Sequence, residues 1–396
     1  MNICIFNFEH VSKTRGGTER VTSILSSAYE TKGHNVYMVS VCPPVSNDTL
    51  KENQYILPEY GINTKTNISF VKNLLAEKKI DIILNQAVPE EVLDLIASTR
   101  PSAPIITCIH THPFIVMKSI TDFWDRKKMK NGWKFILFYP IIYLAFLFFK
   151  QSAKKSTKKH LLYCYRNSDA IVLLSNKYKK CFTDLLGNID ISKLYAIPNP
   201  KEQKDITIDV KEKTVIFVGR QVFQKRVDRL LLVWKKVFKK HADWKLQIIG
   251  DGDEKDLFKQ LAEKFNLKNI EFIGLTDPEE YYKKASILCM TSTHEGLPMV
   301  LLEAQQYNVI PIAFNSFESS TDIIENKKNG FLIKPFSIKE YARIMDMLMS
   351  DADFRKKIHI NIQHNIYADS FDKSNIIEQW ERLFNKLTTN NKTSQN

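Results

Sequence analysis

Two carboxylates with seven residues between them, Glu295 and Glu303, frame the stretch His294-Glu295-Gly296-Leu297-Pro298-Met299-Val300-Leu301-Leu302-Glu303. It begins as a loop, punctuated by Gly296 and Pro298, and turns helical from Met299. Proline suits the first position of a helix, where its missing N–H costs nothing. Glu295 therefore falls in a loop at a helix N-terminus, and Glu303 on the second turn. Backbone N–H groups at such a terminus bind anions. Two carboxylates beside an anion site are wrong for holding phosphate alone. They suit a ligand with both phosphates and hydroxyls, such as a nucleotide sugar. The other reading is an ordinary helix start with one exposed glutamate.

Cations for such a ligand are at hand in Arg220 and Lys225. Both follow the apolar run Thr214-Val215-Ile216-Phe217-Val218 and precede a helical pattern with Leu230, Leu231, Trp234 and Phe238 on one face. Arginine offers a planar fork and lysine a mobile point charge, so together they neutralise a departing diphosphate, unless they are only solvated surface charges. Near the start, the strand Ile3–Phe8 leads through Arg15-Gly16-Gly17-Thr18-Glu19-Arg20 to a helical pattern. This is a ligand-facing loop at a strand's carboxyl end or a tight turn; it is neither G-x-G-x-x-G nor a P-loop. His110 follows the strand Pro104–Ile109. It either meets a substrate hydroxyl, carries a proton or holds a local hydrogen bond. Metal binding has little support. His110-x-His112 lacks a third ligand, and Asp251-x-Asp253 sits at a strand–turn–helix junction that favours a turn.

The elements that must position these residues alternate strand and helix, which gives an α/β chain with doubly wound parallel sheets. At 396 residues there is length for two domains. Boundaries are expected at 1–200 for the first, 201–213 for a polar linker and 214–374 for the second. A helix over 375–388, expected to pack back on the first domain, and a disordered polar tail over 389–396 finish the chain. The apolar content of 44% and charged content of 26% are those of a soluble globular protein. A net charge of +13 implies an anionic partner, yet no nucleic-acid motif accompanies the scattered lysines. Six cysteines without C-x-x-C spacing, several in apolar runs, read as reduced, buried thiols of a cytosolic protein. The chain enters a strand at Asn2, so no cleavable signal peptide is expected.

Residues 118–160 break the alternation. The run from Phe135 to Phe149 is uninterrupted by charge and too short for a transmembrane helix, and Pro140 is expected to kink it. Arg126, Lys127, Lys128, Lys130 and Lys134 precede it; Lys150, Lys154, Lys155, Lys158 and Lys159 follow. An aromatic, apolar segment between basic clusters is the pattern of insertion at an anionic membrane interface, with a buried core helix as the other reading.

The ordered set Gly16-Gly17-Thr18-Glu19-Arg20, Val218-Gly219-Arg220 with Lys225 and Asp228, Gly250-Asp251-Gly252, and Glu295-Gly296-Leu297-Pro298 with Glu303 resembles the family 4 (group 1) retaining glycosyltransferases. That resemblance implies a GT-B fold, two Rossmann-like domains facing a cleft. It also implies roles: Arg220 and Lys225 on the donor diphosphate and leaving group, Glu303 on the ribose, Glu295 on the transferred sugar, and His110 beside it. Backbone groups from Gly296 through Leu297, Pro298 and Met299 to Val300 would meet sugar and phosphate. Gly17, Gly219, Gly250 and Gly274 complete the donor-binding positions. It further implies retention of anomeric configuration, no metal or other cofactor, and a UDP-sugar donor with a GDP-sugar next. The insert points to a lipid-linked glycan acceptor for a bacterial surface polysaccharide, handled by a cytoplasmic protein peripheral at the inner face of the cytoplasmic membrane. Alternatives are an inactive membrane-surface scaffold of the same fold, or a sugar-nucleotide epimerase. No nucleic-acid partner is expected.

Overall fold

Apolar runs with little alternation become strands buried on both faces. In the computed structural model, which describes residues 1–11, 17–44, 50–86, 89–116, 118–119, 139–201, 210–364 and 370–394, thirteen strands form among those residues. The first seven are β1 (Asn2–Asn7), β2 (Asn35–Ser40), β3 (Gln54–Ile56), β4 (Ile82–Asn85), β5 (Ile105–Ile109), β6 (Ala170–Leu173) and β7 (Leu194–Ala196). They pair in the order β3-β2-β1-β4-β5-β6-β7, every pair parallel. The other six are β8 (Thr214–Val218), β9 (Lys245–Ile249), β10 (Ile270–Gly274), β11 (Ile287–Met290), β12 (Ile310–Phe314) and β13 (Phe331–Ile333). Their order is β10-β9-β8-β11-β12-β13, again parallel throughout. All residues of β4, β6 and β11 are buried, as parallel strands covered by helices on both faces require.

Each sheet is the centre of its own compact unit. One comprises Met1–Pro113, Lys155–Glu202 and Ser370–Asn396; the other comprises Phe114–Lys154 and Gln203–Asp369. The core of the second packs Trp234 and Val237 of the helix Val227–Val237 with Phe217, Trp244 and Phe258. In the first, Ile376, Trp380 and Phe384 of the last helix join Ile3, Val21, Leu25 and Tyr29, with the Tyr29 and Phe384 rings edge to face at 5.4 Å.

Several expectations change. The last helix spans Lys373–Ser394, so residues 389–394 are helical where a disordered tail was expected. Lengthening a helix by a turn costs little once its buried face has nucleated it. Pro140 lies at the second residue of the helix Tyr139–Arg166. The expected kink at Pro140 involves residues before 139, which lie outside the described residues. The described part of Phe114–Lys154 groups with the second unit rather than the first. Within that unit Lys118 Nζ donates to the carbonyl of Ser316 at 2.9 Å. Strands β3 and β7, three residues each, were not expected. Arg15 and Gly16 of the glycine loop, residues 120–138 of the insert and 202–209 of the linker lie outside the described residues. No helix among the described residues is long and apolar enough to cross a membrane.

Candidate active site

In a doubly wound sheet the chain reverses its direction of travel at one point, and the loops leaving the strands there open a crevice for ligands. In the second sheet that point lies between β8 and β11. The loop after β8 carries Gly219, Arg220 and Lys225; the loop after β11 carries Glu295. Lys225 Nζ donates to Glu295 Oε1 at 2.7 Å, both side chains largely withdrawn from solvent. Two residues seventy positions apart are thus joined by topology alone.

The two loops are laced together. Thr293 N donates to the Gln224 carbonyl (2.9 Å), Gln224 Nε2 to the His294 carbonyl (2.6 Å), and Thr291 Oγ1 to the Lys225 carbonyl (2.9 Å). Thr291, Ser292, Thr293 and His294 are buried, so Glu295 stands on a rigid base. Lys225 itself ends a 3-10 turn, Phe223–Lys225, and Arg226 leaves that turn in the left-handed region at φ 52°. Arg226 grips the buried Asp228 carboxylate through Nε and a guanidinium nitrogen, both at 3.0 Å, so Asp228 secures the loop. Arg220 is exposed on the same loop.

The neighbouring loop, after β9, comes against the first with almost no clearance. A Cβ on Gly250 (φ +120°) would lie 2.1 Å from the Gly219 carbonyl oxygen. One on Gly252 would lie 2.6 Å from that of Gln221. Gln221 N donates to the Asp251 carbonyl (2.7 Å), and Gln221 Nε2 to that of Gly250 (2.6 Å). Asp251 accepts from Gly252 N (2.8 Å) and pairs with Lys255 (2.7 Å), which holds its carboxyl below the usual range, chiefly through the Lys255 bond. These partners make the segment a turn. Among the described residues no group of three or more His, Cys, Asp or Glu side chains converges as a metal site.

Pro298 is the N-cap, in extended conformation, and the helix runs Met299–Gln306, so the proline stands one residue before the expected position. Leu301 N donates the first turn's bond to the Pro298 carbonyl (3.0 Å), and the amides of Met299 and Val300 precede it in the orphan first turn. Leu297 is buried, so its side chain anchors the loop. Glu303 follows on the second turn, its Oε2 accepting from Tyr282 Oη at 2.9 Å. Gly274 ends β10 at φ +89°, its carbonyl accepting from Gly250 N at 2.7 Å.

In the first unit the switch point lies between β1 and β4. His110 sits one strand beyond it, at the end of β5, and its Nε2 makes a short bond to Gln86 Oε1. Which of the two groups donates in that contact is set by the imidazole tautomer. Burial pushes the imidazole down to about 4, so it is neutral at pH 7. Nδ1 is enclosed and makes no hydrogen bond to the described residues. His110, Asn85, Glu90, His160 and Cys164 line a cavity of about 30 Å³, room for water but not for a sugar. There Cys164 Sγ lies 3.7 Å from His160 Nε2, and His160 Nδ1 lies 3.3 Å from Glu90 Oε2. This resembles a nucleophile relay, but burial pushes the Cys164 thiol up to about 12, so it stays protonated. All six cysteines are free thiols, five buried and Cys42 partly exposed. Gly17 opens the helix Gly17–Thr31, and a Cβ there would meet nothing within 4 Å.

Two family descriptions fit end to end: residues 15–200 match Glycosyltransferase Family 4, and residues 198–365 match Glycosyl transferases group 1. The chain belongs to the group 1, family 4 glycosyltransferases. This glycosyltransferase moves a sugar from a nucleotide-sugar donor. It is 26% identical over 371 residues to an uncharacterized glycosyltransferase of Haemophilus influenzae, covering 93% of this chain and 96% of that one. It is 30% identical over 244 residues to the amylovoran biosynthesis glycosyltransferase AmsD of Erwinia amylovora, covering 58% and 66%. Among solved structures it shares the GT-B fold of a Staphylococcus aureus TarM mutant crystallised with fondaparinux, α-GlcNAc-glycerol and UDP. The TM-score is 0.74 at 15% identity, covering 97% of this glycosyltransferase and 99% of TarM.

Sequence reasoning named Lys225, Glu295 and Glu303 but missed their supports. Gln224, Thr291, Thr293 and Tyr282 act through bonds to residues distant in the chain, and no local pattern marks them. Gln86, the partner of His110, was missed for the same reason.

Proposed function

We propose that this glycosyltransferase transfers the sugar of a UDP-sugar, or failing that a GDP-sugar, with retained anomeric configuration to a lipid-linked glycan acceptor in bacterial surface polysaccharide synthesis. The observation that carries the reading is the Lys225–Glu295 pair at the β8/β11 switch point, with Glu303 on the second turn of the helix that follows. In transfer, the C1–O bond to the diphosphate breaks and the acceptor hydroxyl oxygen bonds to C1 on the same face. The acceptor's proton passes to the departing diphosphate. Negative charge therefore grows on the leaving group, and Arg220, Lys225 and the first-turn amides of the helix Met299–Gln306 are the preorganised donors for it. Glu295 takes hydroxyls of the transferred sugar and Glu303 those of the ribose. Neutral His110 is assigned to the donor sugar, a contact that requires its enclosed Nδ1 to be uncovered. TarM, of the same fold, was crystallised with UDP, which supports uridine as the nucleotide.

The lipid-linked acceptor is supported by the helix Tyr139–Arg166. Leu144, Leu147, Phe148 and Phe149 are exposed on it, Leu144 at 67% and Phe148 at 72%. Lys150, Lys154, Lys155, Lys158 and Lys159 follow, all exposed. An apolar end with a lysine-rich continuation suits an anionic bilayer surface, aromatic rings seated among the acyl chains and ammonium groups at the phosphates. We place the enzyme at the inner face of the cytoplasmic membrane on that ground.

The test is nucleotide release from a panel of UDP- and GDP-sugars, with and without polyprenyl-diphosphate-linked glycans. Release that requires the acceptor is expected, with the product's anomeric configuration read by NMR. Turnover of the sugar without any acceptor would favour an epimerase. Neither turnover nor donor binding would leave a scaffold.

A further inference from the structure

Glu303 does not stand alone on its helix. Tyr282, on the short helix Glu279–Lys284 that leads into β11, is only 1% exposed, and its hydroxyl donates to Glu303 Oε2 at 2.9 Å. Its ring lies flat on that of Tyr307, centroids 5.5 Å apart and planes inclined by 10°. Tyr307 is one helical turn beyond Glu303, and its amide donates to the Glu303 carbonyl at 3.1 Å. A single ammonium group ties the arrangement together. Lys211 Nζ donates to the carbonyls of Tyr282 (3.0 Å), Lys283 (2.8 Å) and Tyr307 (2.6 Å). Side chain, ring stack and backbone of Tyr282 are therefore each fixed from a different direction.

A carboxylate that receives a vicinal diol must present a set plane, because the two hydroxyls arrive with fixed spacing. A glutamate on an open helix face has three rotatable bonds and pays side-chain entropy to adopt one pose. The Tyr282 O–H removes that freedom before ligand arrives, and takes one of the roughly four lone-pair sites of the carboxylate. We propose that Tyr282 is a positioning residue that orients Glu303 to accept the 2′- and 3′-hydroxyls of the donor's ribose, and so sets selectivity for ribo- over deoxyribonucleotides. This rests on the reading that Glu303 takes the ribose. Tyr282 acts through Glu303 and does not itself touch the nucleotide.

The experiment compares UDP with 2′-deoxy-UDP by calorimetry on the full-length enzyme, for the parent, Tyr282→Phe, Glu303→Gln and the double variant. Removing one hydrogen bond to a charged group costs roughly tenfold in affinity. Tyr282→Phe is expected to weaken UDP by that factor and to leave 2′-deoxy-UDP much less affected, so the ratio of the two affinities falls. In the Glu303→Gln background, Tyr282→Phe is expected to change the ratio no further. With a donor sugar, the loss should appear in KM rather than kcat, as for an interaction made equally in ground and transition states. Phenylalanine keeps the ring stack, and the stoichiometry of 2′-deoxy-UDP binding shows that each variant is folded. If Glu303→Gln lowers the ratio and Tyr282→Phe does not, Tyr282 has no positioning role. If Glu303→Gln itself leaves the ratio at the parent value, the assignment of Glu303 to the ribose falls first.

Discussion

Lys225 has one obvious partner, Glu295, and the choice of lysine matters. A lysine held by a carboxylate stays at the mouth of the loop without being consumed, and a diphosphate arriving there carries more charge than the carboxylate it competes with. On the proposed mechanism, Lys225→Ala removes a donor that works hardest in the transition state. Loss of transfer by roughly 10²–10³-fold is expected, with the thermal unfolding midpoint nearly unchanged. Activity within tenfold of the parent would take Lys225 out of the chemistry. Gly250→Ala tests how the neighbouring loop packs on this one, because its new methyl would collide with the Gly219 carbonyl at 2.1 Å and force φ +120° on a residue with a Cβ. A stability loss of at least about 2 kcal/mol is expected by chemical denaturation. His110 and His359 supply a pH signature, since burial pushes both down to about 4. An unfolded histidine titrates near 6.5, so between these values the unfolded chain binds more protons than the folded one. Their stability contribution is full above about pH 6.5 and is lost as pH falls toward 4. A melting series from pH 7.5 to 4.5 should show that decline.

At the scale of elements, the sequence was most legible where a local rule is strong. Buried runs such as Ile287–Met290 and the Gly296/Pro298 punctuation marked strand, loop and helix within a residue or so. The short edge strand β3 escaped because Gln54-Tyr55-Ile56 is half-buried and has no run to read. The site's cations and carboxylates were legible as types, but their pairing was not, since it depends on which strands become neighbours. In the helix Tyr139–Arg166, composition marked the apolar start and the lysine-rich continuation, while the exposure of Leu144 and Phe148 needed the structure. Replacing Leu144 and Phe148 together by glutamate puts two negative charges where two large exposed apolar groups stand. Sedimentation with vesicles containing phosphatidylglycerol should fall severalfold, while acceptor-independent donor binding is retained. Unchanged sedimentation would remove this helix from the membrane reading.

For the whole molecule, chain order and spatial order disagree. The last described helix completes the core of the unit that the first residues begin, with Trp380 and Phe384 packed among Ile3, Val21 and Tyr29. Trp380→Ala should cost about 3–5 kcal/mol, read as a shift in the urea midpoint. Apolar periodicity indicated the helix but not how far it continues, because its final turns are polar and no pattern separates a polar helix end from a polar tail. The arrangement also bears on synthesis. A ribosome delivers β1 to β7 early, yet the aromatic residues that seal one side of that sheet emerge only after the whole of the second sheet. All six strands of the second sheet, β8 to β13, lie between β7 and that helix, so this sheet is complete sooner. Domains generally fold as units from the N-terminus during synthesis; here the later unit has the chance to mature first, while the earlier one keeps an apolar face waiting for its final helix. A nascent chain stalled before Lys373 would display that face, and it is there that a chaperone should bind.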